Sequence, residues 1–304
     1  MKILGGTVLA MVVLLLVVAQ PAGAGAADPA SIDFGAVPLN RTASQAVTLT
    51  IDTGFQVSAF SGEGIRAPFG IDIGDCFAVT GPGTCTFTQK FTPTSVGSFT
   101  GMLHARECPL VGTASCIDIP VSLQGSGVQI ATTTSLASSA NPSILGQSVT
   151  FTATVASASG STTPTGTVTF SDGATPLATV PLGGGTASFT TSGLTAGEHT
   201  IGAAYSGGGA FAPSSANLTQ TVQDAAALLS LLAAEVAGLP PGTSLSEKVQ
   251  KAQDFLAEGA IAKACKTMDD FISEVRSQTG KKIPAALARK LITDAMNVKI
   301  ALGC

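Results

Sequence analysis

Ser148-Val149-Thr150-Phe151-Thr152-Ala153-Thr154-Val155 alternates apolar and hydroxyl side chains. A period of two sends one set to a core and the other to water only on a β-strand. Val168-Thr169-Phe170-Ser171-Asp172-Gly173 repeats the alternation and ends on Asp-Gly, which supplies the positive backbone angles of a tight hairpin turn. From Thr132 to Val222 the acidic and basic residues are limited to Asp172 and Glu198, so Ser, Thr and Gly must form the wet face. This segment reads as an antiparallel sandwich.

The same pattern runs upstream. Between Asp28 and Gly127, stretches such as Val47-Thr48-Leu49-Thr50-Ile51 and Thr86-Phe87-Thr88-Gln89-Lys90-Phe91 are broken by Gly or Pro about every ten residues. After Gln223 strand formers give way to Ala, Leu, Lys and Glu, and 10 of the 15 Lys and Arg lie beyond this point. Four helices are expected there. Asp224 caps the first, which ends at Gly238 before Pro240-Pro241, and Ser244 with Glu247 makes a capping box for the second. Ile261, Ala264, Cys265, Met268, Phe271, Ile272 and Val275 form one stripe of the third, ended by Gly280. Pro284 opens the fourth, whose apolar positions include Leu287, Leu291, Ala295, Val298 and Leu302.

Three resemblances follow from particular residues. Ile32-Asp33-Phe34-Gly35, Cys85-Thr86-Phe87 running into Phe91-Thr92-Pro93-Thr94-Ser95-Val96-Gly97, and the closing Ile119-Pro120-Val121-Ser122-Leu123-Gln124-Gly125 resemble the Hydin-type, or choice-of-anchor D, immunoglobulin-like module. Pro164-Thr165-Gly166, Leu194-Thr195-Ala196-Gly197-Glu198-His199-Thr200-Ile201 and Ala204-Tyr205-Ser206-Gly207 resemble a bacterial immunoglobulin-like repeat module. Phe271 through Gly280-Lys281-Lys282 to Cys304 resembles the FIMAH domain of bacterial adhesins and other exported proteins. The expected fold class is multidomain: two all-β immunoglobulin-like sandwiches, at 28–128 and 129–223, followed by a small all-α helical bundle at 224–304.

Lys2, the apolar run Thr7 to Ala19, Pro21 and the small residues Ala22 to Ala27 have the layout of a secretory signal peptide. Ala24-Gly25-Ala26 fits an A-x-A cleavage site, giving a signal segment at 1–26 and a mature chain starting near Ala27. Export makes disulfides the expectation for the 6 cysteines, which allow 15 pairings. Clustering suggests Cys76 with Cys85, Cys108 with Cys116, and Cys265 with Cys304. The last pair would staple two antiparallel helices at one end. A zinc site calls for close pairs such as C-x-x-C, and none occurs.

Only 11% of the 304 residues are charged, against about 25% in an average domain, and 45% are hydrophobic, which excludes intrinsic disorder. With net charge -4 and no Lys or Arg between Arg106 and Lys248, nucleic-acid binding is excluded as well. Chemistry is thinly supplied: His104, His199, one Tyr, and no G-x-S-x-G, H-E-x-x-H or phosphate-loop motif. His104, beside Arg106 and Glu107, is expected as an exposed strand residue, and His199 as structural. Ile71-Asp72-Ile73-Gly74-Asp75 offers too few oxygens for calcium and reads as a polar turn. Lys281-Lys282 with Arg289 and Lys290 forms a local basic patch.

No catalytic residue, cofactor or metal is expected. The sequence implies a non-catalytic exported or cell-surface protein whose sandwiches present a helical binding domain, in adhesion or scaffolding, to a protein or polysaccharide ligand. Membrane contact is expected only through the signal segment if it stays uncleaved. The rival readings are a hydrolase, or an accessory module of one, using His104 or His199, and a periplasmic assembly factor lending a strand edge to its client.

Overall fold

The computed structural model describes residues 25–112, 115–158, 162–239 and 243–304. Most of the expected signal segment and the Pro240-Pro241 pair lie outside these residues. The chain divides into two compact units, Met1–Val128 and Gln129–Cys304, so the second sandwich and the helices share one unit.

In the first unit the strands are β1 (Ala26–Asp28), β2 (Ser31–Pro38), β3 (Ala43–Ile51), β4 (Phe55–Gly62), β5 (Phe69–Asp72), β6 (Gly83–Phe91), β7 (Gly97–Pro109) and β8 (Ile117–Val128). They form two four-stranded sheets, β1-β3-β6-β5 and β2-β8-β7-β4. β2 and β8 pair in parallel; the other neighbours are antiparallel. The alternation aims Val47, Leu49, Phe87 and Phe91 at Leu103, Ala105, Val121 and Leu123, and all are buried. Phe91 is the hub: its ring centroid lies 5.1 Å from Phe69, 5.5 Å from Phe34 and 5.7 Å from Phe99, the range of favourable ring pairing. Residue 125 must be glycine here, because a Cβ would stand 2.8 Å from the Phe91 ring. Disulfides Cys76–Cys85 and Cys108–Cys116 tie the short turn Cys76–Ala78 to β6 and the end of β7 to the approach of β8.

The second unit opens with β9 (Thr132–Ser138), β10 (Ser143–Ile144), β11 (Val149–Ser157), β12 (Thr167–Asp172), β13 (Thr175–Pro181), β14 (Thr186–Thr191), β15 (Gly197–Tyr205) and β16 (Ser214–Gln223). Sheets β10-β16-β15-β12-β13 and β14-β11-β9 enclose Phe151, Val168, Phe170, Ile201 and Tyr205. Tyr205 buries its ring and donates its hydroxyl to Thr165 O at 2.5 Å. On the outer faces hydroxyls bond to each other across strands: Thr150 with Thr190 at 2.9 Å, Thr152 with Ser188 at 3.1 Å and Thr169 with Thr179 at 3.0 Å. Cross-strand hydroxyl pairs of this kind contribute about 0.2–1 kcal/mol each, in a segment with few charged side chains to pair.

Among the described residues four helices follow: α1 (Ala225–Val236), α2 (Ser244–Ala257), α3 (Ile261–Gln278) and α4 (Ala285–Leu302). Asp224 is all that separates β16 from α1, and its side chain accepts the Ala227 N–H at 2.8 Å. Leu229, Val236, Val249, Met268, Phe271, Leu291 and Val298 fill the bundle core, and Ile144 of β10 packs against it.

The expected Ser244 cap is displaced by one residue. Thr243 holds the cap position, without a side-chain bond to the helix backbone, and donates instead to Glu247 Oε1 at 2.8 Å. Ser244 is the first helical residue and donates to Glu274 Oε2 on α3 at 2.9 Å. An ionised carboxylate is the stronger acceptor, and it lies too far along the chain for a local pattern to reveal.

Cys265 and Cys304 are bonded, 39 residues apart, at the same end of the α3–α4 hairpin. Closing a loop of about 40 residues removes roughly 3.9 kcal/mol of unfolded-state entropy before native strain is subtracted. Replacing both cysteines by alanine should therefore destabilise the helices by about 2 to 4 kcal/mol. Urea denaturation followed by the helical circular-dichroism signal checks this, and an unchanged midpoint refutes it.

Candidate functional site

His199, on β15, is locked between two acceptors. Its Nδ1 lies 2.6 Å from Asp172 Oδ2 at the end of β12, and its Nε2 lies 2.9 Å from Thr195 O. A carbonyl and a carboxylate both accept, so both ring nitrogens donate and the imidazolium form fits the site. Burial pushes its pKa down, but the Thr195 carbonyl and the Asp172 carboxylate outweigh that and hold it above the ordinary value. With both nitrogens occupied, the ring clasps two strand ends and has no lone pair for proton abstraction.

A second polar cluster lies between α2 and α3. Lys248 Nζ is 2.6 Å from Glu274 Oε2 and 3.1 Å from Ser244 Oγ. Burial pushes the Glu274 carboxyl up, yet the hydrogen bonds from Lys248 and Ser244 win and lower it. The cluster borders a cleft of about 250 Å³ shared with Glu247, Lys251, Thr267 and Asp270. An ion-paired lysine is an ammonium with donors only, so Ser244 has no base beside it. The arrangement joins helices rather than activating a nucleophile.

His104, Arg106 and Glu107 are adjacent in sequence but divided by the β7 pleat. Leu103, Ala105 and Glu107 are fully buried, whereas Arg106 points to solvent and meets Asp118 at 3.5 Å. His104, half-buried, stands opposite Ser61. Neither carboxylate oxygen of Glu107 has a hydrogen-bond partner, and Asp52 Oδ2 is likewise buried without one. Burial pushes the Glu107 carboxyl up and the Asp52 carboxylate adds to this; the Asp52 backbone N–H opposes without reaching a hydrogen bond of ordinary geometry. The strand phase that Glu107 shares with Leu103 and Ala105 is the sequence signal that it faces the core rather than the exposed side of Arg106.

Asp72 accepts the Gly74 N–H at 3.4 Å and faces Lys90 at 3.6 Å, the bonding of a polar turn. Among the described residues, no group of three or more His, Cys, Asp or Glu side chains is placed to hold a metal. The basic patch is divided too. Lys290 is engaged by Glu235 and by Asp294, and these hydrogen bonds raise its pKa. Lys281, Lys282 and Arg289 stay exposed around the α3–α4 turn.

Family comparison assigns two of these regions. Residues 133–223 match the bacterial Ig-like domain (group 3), and residues 233–299 match the FIMAH domain. No curated protein matches the chain. Among solved structures, the Vibrio cholerae VesB protease is 14% identical, with 32% of this chain and 30% of that one covered and a TM-score of 0.27. The chain thus spans under a third of that protease's length. The Clostridium thermocellum CbhA fibronectin(III)-like modules are 14% identical, covering 63% of this chain and 88% of theirs, with a TM-score of 0.26. The Yersinia pseudotuberculosis adhesin InvE is 17% identical over 65% of this chain and 58% of its own, with a TM-score of 0.25.

The His199 clasp has a pH signature. A histidine whose folded pKa is raised contributes stability that is fully present below its unfolded pKa, about 6.5, and is lost as pH rises through the folded value. Urea midpoints of the second sandwich should therefore fall with rising pH from about 6.5 upward, and His199→Gln should flatten that fall. Parallel pH profiles for the two proteins would remove the clasp from the account.

Proposed function

We propose that this chain is a non-catalytic, exported modular protein whose sandwiches act as spacers presenting the FIMAH domain to a protein or polysaccharide ligand, in adhesion or extracellular scaffolding. The first unit is read as a choice-of-anchor D type immunoglobulin-like module. The observation that carries the proposal is the junction of β16 and α1. Asp224 alone connects them, and Leu145 and Asp224 line a cleft with Ile261, Ala301 and Leu302, from the start of α3 and the end of α4. The bundle is seated on its spacer by that end. Helices of 18 residues run about 27 Å, so the opposite end, with exposed Lys281, Lys282 and Arg289, is carried away from the sandwich.

Three further considerations support the reading. Disulfides belong to oxidising compartments, which favours export. The doubly bonded His199 ring and the Ser244–Lys248 pair lack the arrangement that proton transfer or nucleophilic attack requires. A lysine pair at an exposed tip suits anionic groups on a surface polymer, with binding that weakens as salt screens it.

Cell fractionation with protease shaving tests location, and binding of the mature protein to purified envelope polysaccharide and surface proteins tests presentation. A surface or medium pool is expected, with binding reduced by Lys281→Glu with Lys282→Glu. A purely periplasmic pool carrying a bound client would instead support the assembly-factor reading. Turnover in broad hydrolase profiling that His104→Ala or His199→Ala abolishes would overturn the non-catalytic assignment.

A further inference from the structure

Glu107 is wholly buried, neither of its oxygens has a partner, and the buried Asp52 Oδ2 has none either. An ionised carboxylate so placed calls for a counter-charge, and no described ion pair supplies one. What lies against it is the backbone of Gly25. An atom in the Cβ position of residue 25 would stand 2.6 Å from Oε1, 2.6 Å from Oε2 and 2.7 Å from Cδ of Glu107. That is too close for any heavy atom, but the Glu107 carboxylate is the far end of a flexible side chain, and a withdrawal of about half an ångström would bring a nitrogen there to a charge-assisted N–H···O contact of about 2.7–2.9 Å. If Gly25 is chain-terminal, rotation about its Cα–C bond swings the nitrogen into that position, since both are tetrahedral neighbours of one carbon. Only glycine leaves the position free.

We infer that the buried Glu107 carboxylate is a receptor for a free α-ammonium group on Gly25, created when export cleaves the Ala24–Gly25 bond. This rests on the export reading above. Ala22-Gly23-Ala24 sets small residues at the third and first positions before that bond, the same pattern as Ala24-Gly25-Ala26 but two residues earlier. Strand β1 favours the earlier register. Ala26 pairs with Thr50, Ala27 with Leu49 and Asp28 with Thr48, so cleavage after Ala26 would remove both the first rung and the residue that meets Glu107. The step is hydrolysis by a host signal peptidase: the peptide C–N bond breaks, the hydroxyl of water goes to the Ala24 carbonyl carbon, and a proton goes to the Gly25 nitrogen. The resulting amine takes a second proton near neutrality, its ordinary pKa being about 7.7–8.0. Before cleavage that nitrogen is a neutral amide, so the ion pair forms only in the matured protein. Asp52, in the turn between β3 and β4, is the other charged group acting on the pocket.

The full chain, produced in an exporting bacterial host, gives the test by intact mass, terminal sequencing and reductive methylation of the terminal amine in native and unfolded protein. The expected product is Gly25–Cys304, with its amine methylated at least about tenfold more slowly when folded and titrating above its ordinary range. Glu107→Gln should abolish most of that protection with the same terminus. Should this variant fail to accumulate, the folded-to-unfolded ratio of the wild type decides alone. An exported chain beginning at Ala27 or elsewhere overturns the inference and leaves export standing. An exported chain retaining Met1 overturns the inference alone, a chain retaining Met1 and confined to the cytoplasm overturns both, and a Gly25 amine as reactive when folded as when unfolded overturns the ion pair.

Discussion

Hydroxyl groups bonded across neighbouring strands, such as Thr150 with Thr190 and Thr152 with Ser188, let a chain with few charges bury one strand face and wet the other. Each short side chain is held by its cross-strand neighbour, so the outer face needs no long ionic side chains. The inner face is then largely apolar, and Phe151, Phe170, Phe87 and Phe91 occupy it. The register that pairs the hydroxyls is the register that faces the rings inward. A slip by one residue would exchange the two faces.

The same constraint fixes how the helices are carried. β16 keeps its alternation up to Gln223, and Asp224 then satisfies the first turn of α1, leaving no slack between sheet and bundle. Ile144 enters the helical core from the sheet side, so the two architectures share apolar surface. At the other level of the bundle, Lys248, Glu274 and Ser244 bond α2 to α3, and Lys290 links α4 to Glu235 of α1. A domain of this size has a small core, so the Cys265–Cys304 bond is expected to supply a large share of its stability.

Buried polar side chains mark where packing alone does not account for the residue. Gln220 is fully used: it accepts from Ser138 Oγ at 2.7 Å and donates to Ala140 O at 2.9 Å and Ser143 Oγ at 3.1 Å, pinning the β9–β10 connection to β16. Gln89 donates to Gly64 O and Gly70 O, closing the loop that leads into β5, while its neutral Oε1 is left without a partner. Glu107 has the same burial without the partners. This contrast makes its pocket a place for a charge rather than another structural tie.

The sequence by itself determined the periodic elements. Alternation at Val149–Val155 placed a strand, the stripe from Ala264 to Val275 placed a helix, and Asp224 and Gly280 placed helix ends, because each depends on residues within a turn or two of one another. Cysteine clustering pointed to the three bonds that the structure forms, since short loops join two of the pairs and leave Cys265 and Cys304 for each other. Tertiary structure alone decided what depends on groups far apart in the chain. Ser244 forsakes its local cap for Glu274, thirty residues away. His199 is fixed by Asp172 from another strand, and Glu107 meets Gly25 across the first sandwich. Periodicity reports which face a side chain occupies, whereas its charge state and partners are set by whatever the fold brings against that face.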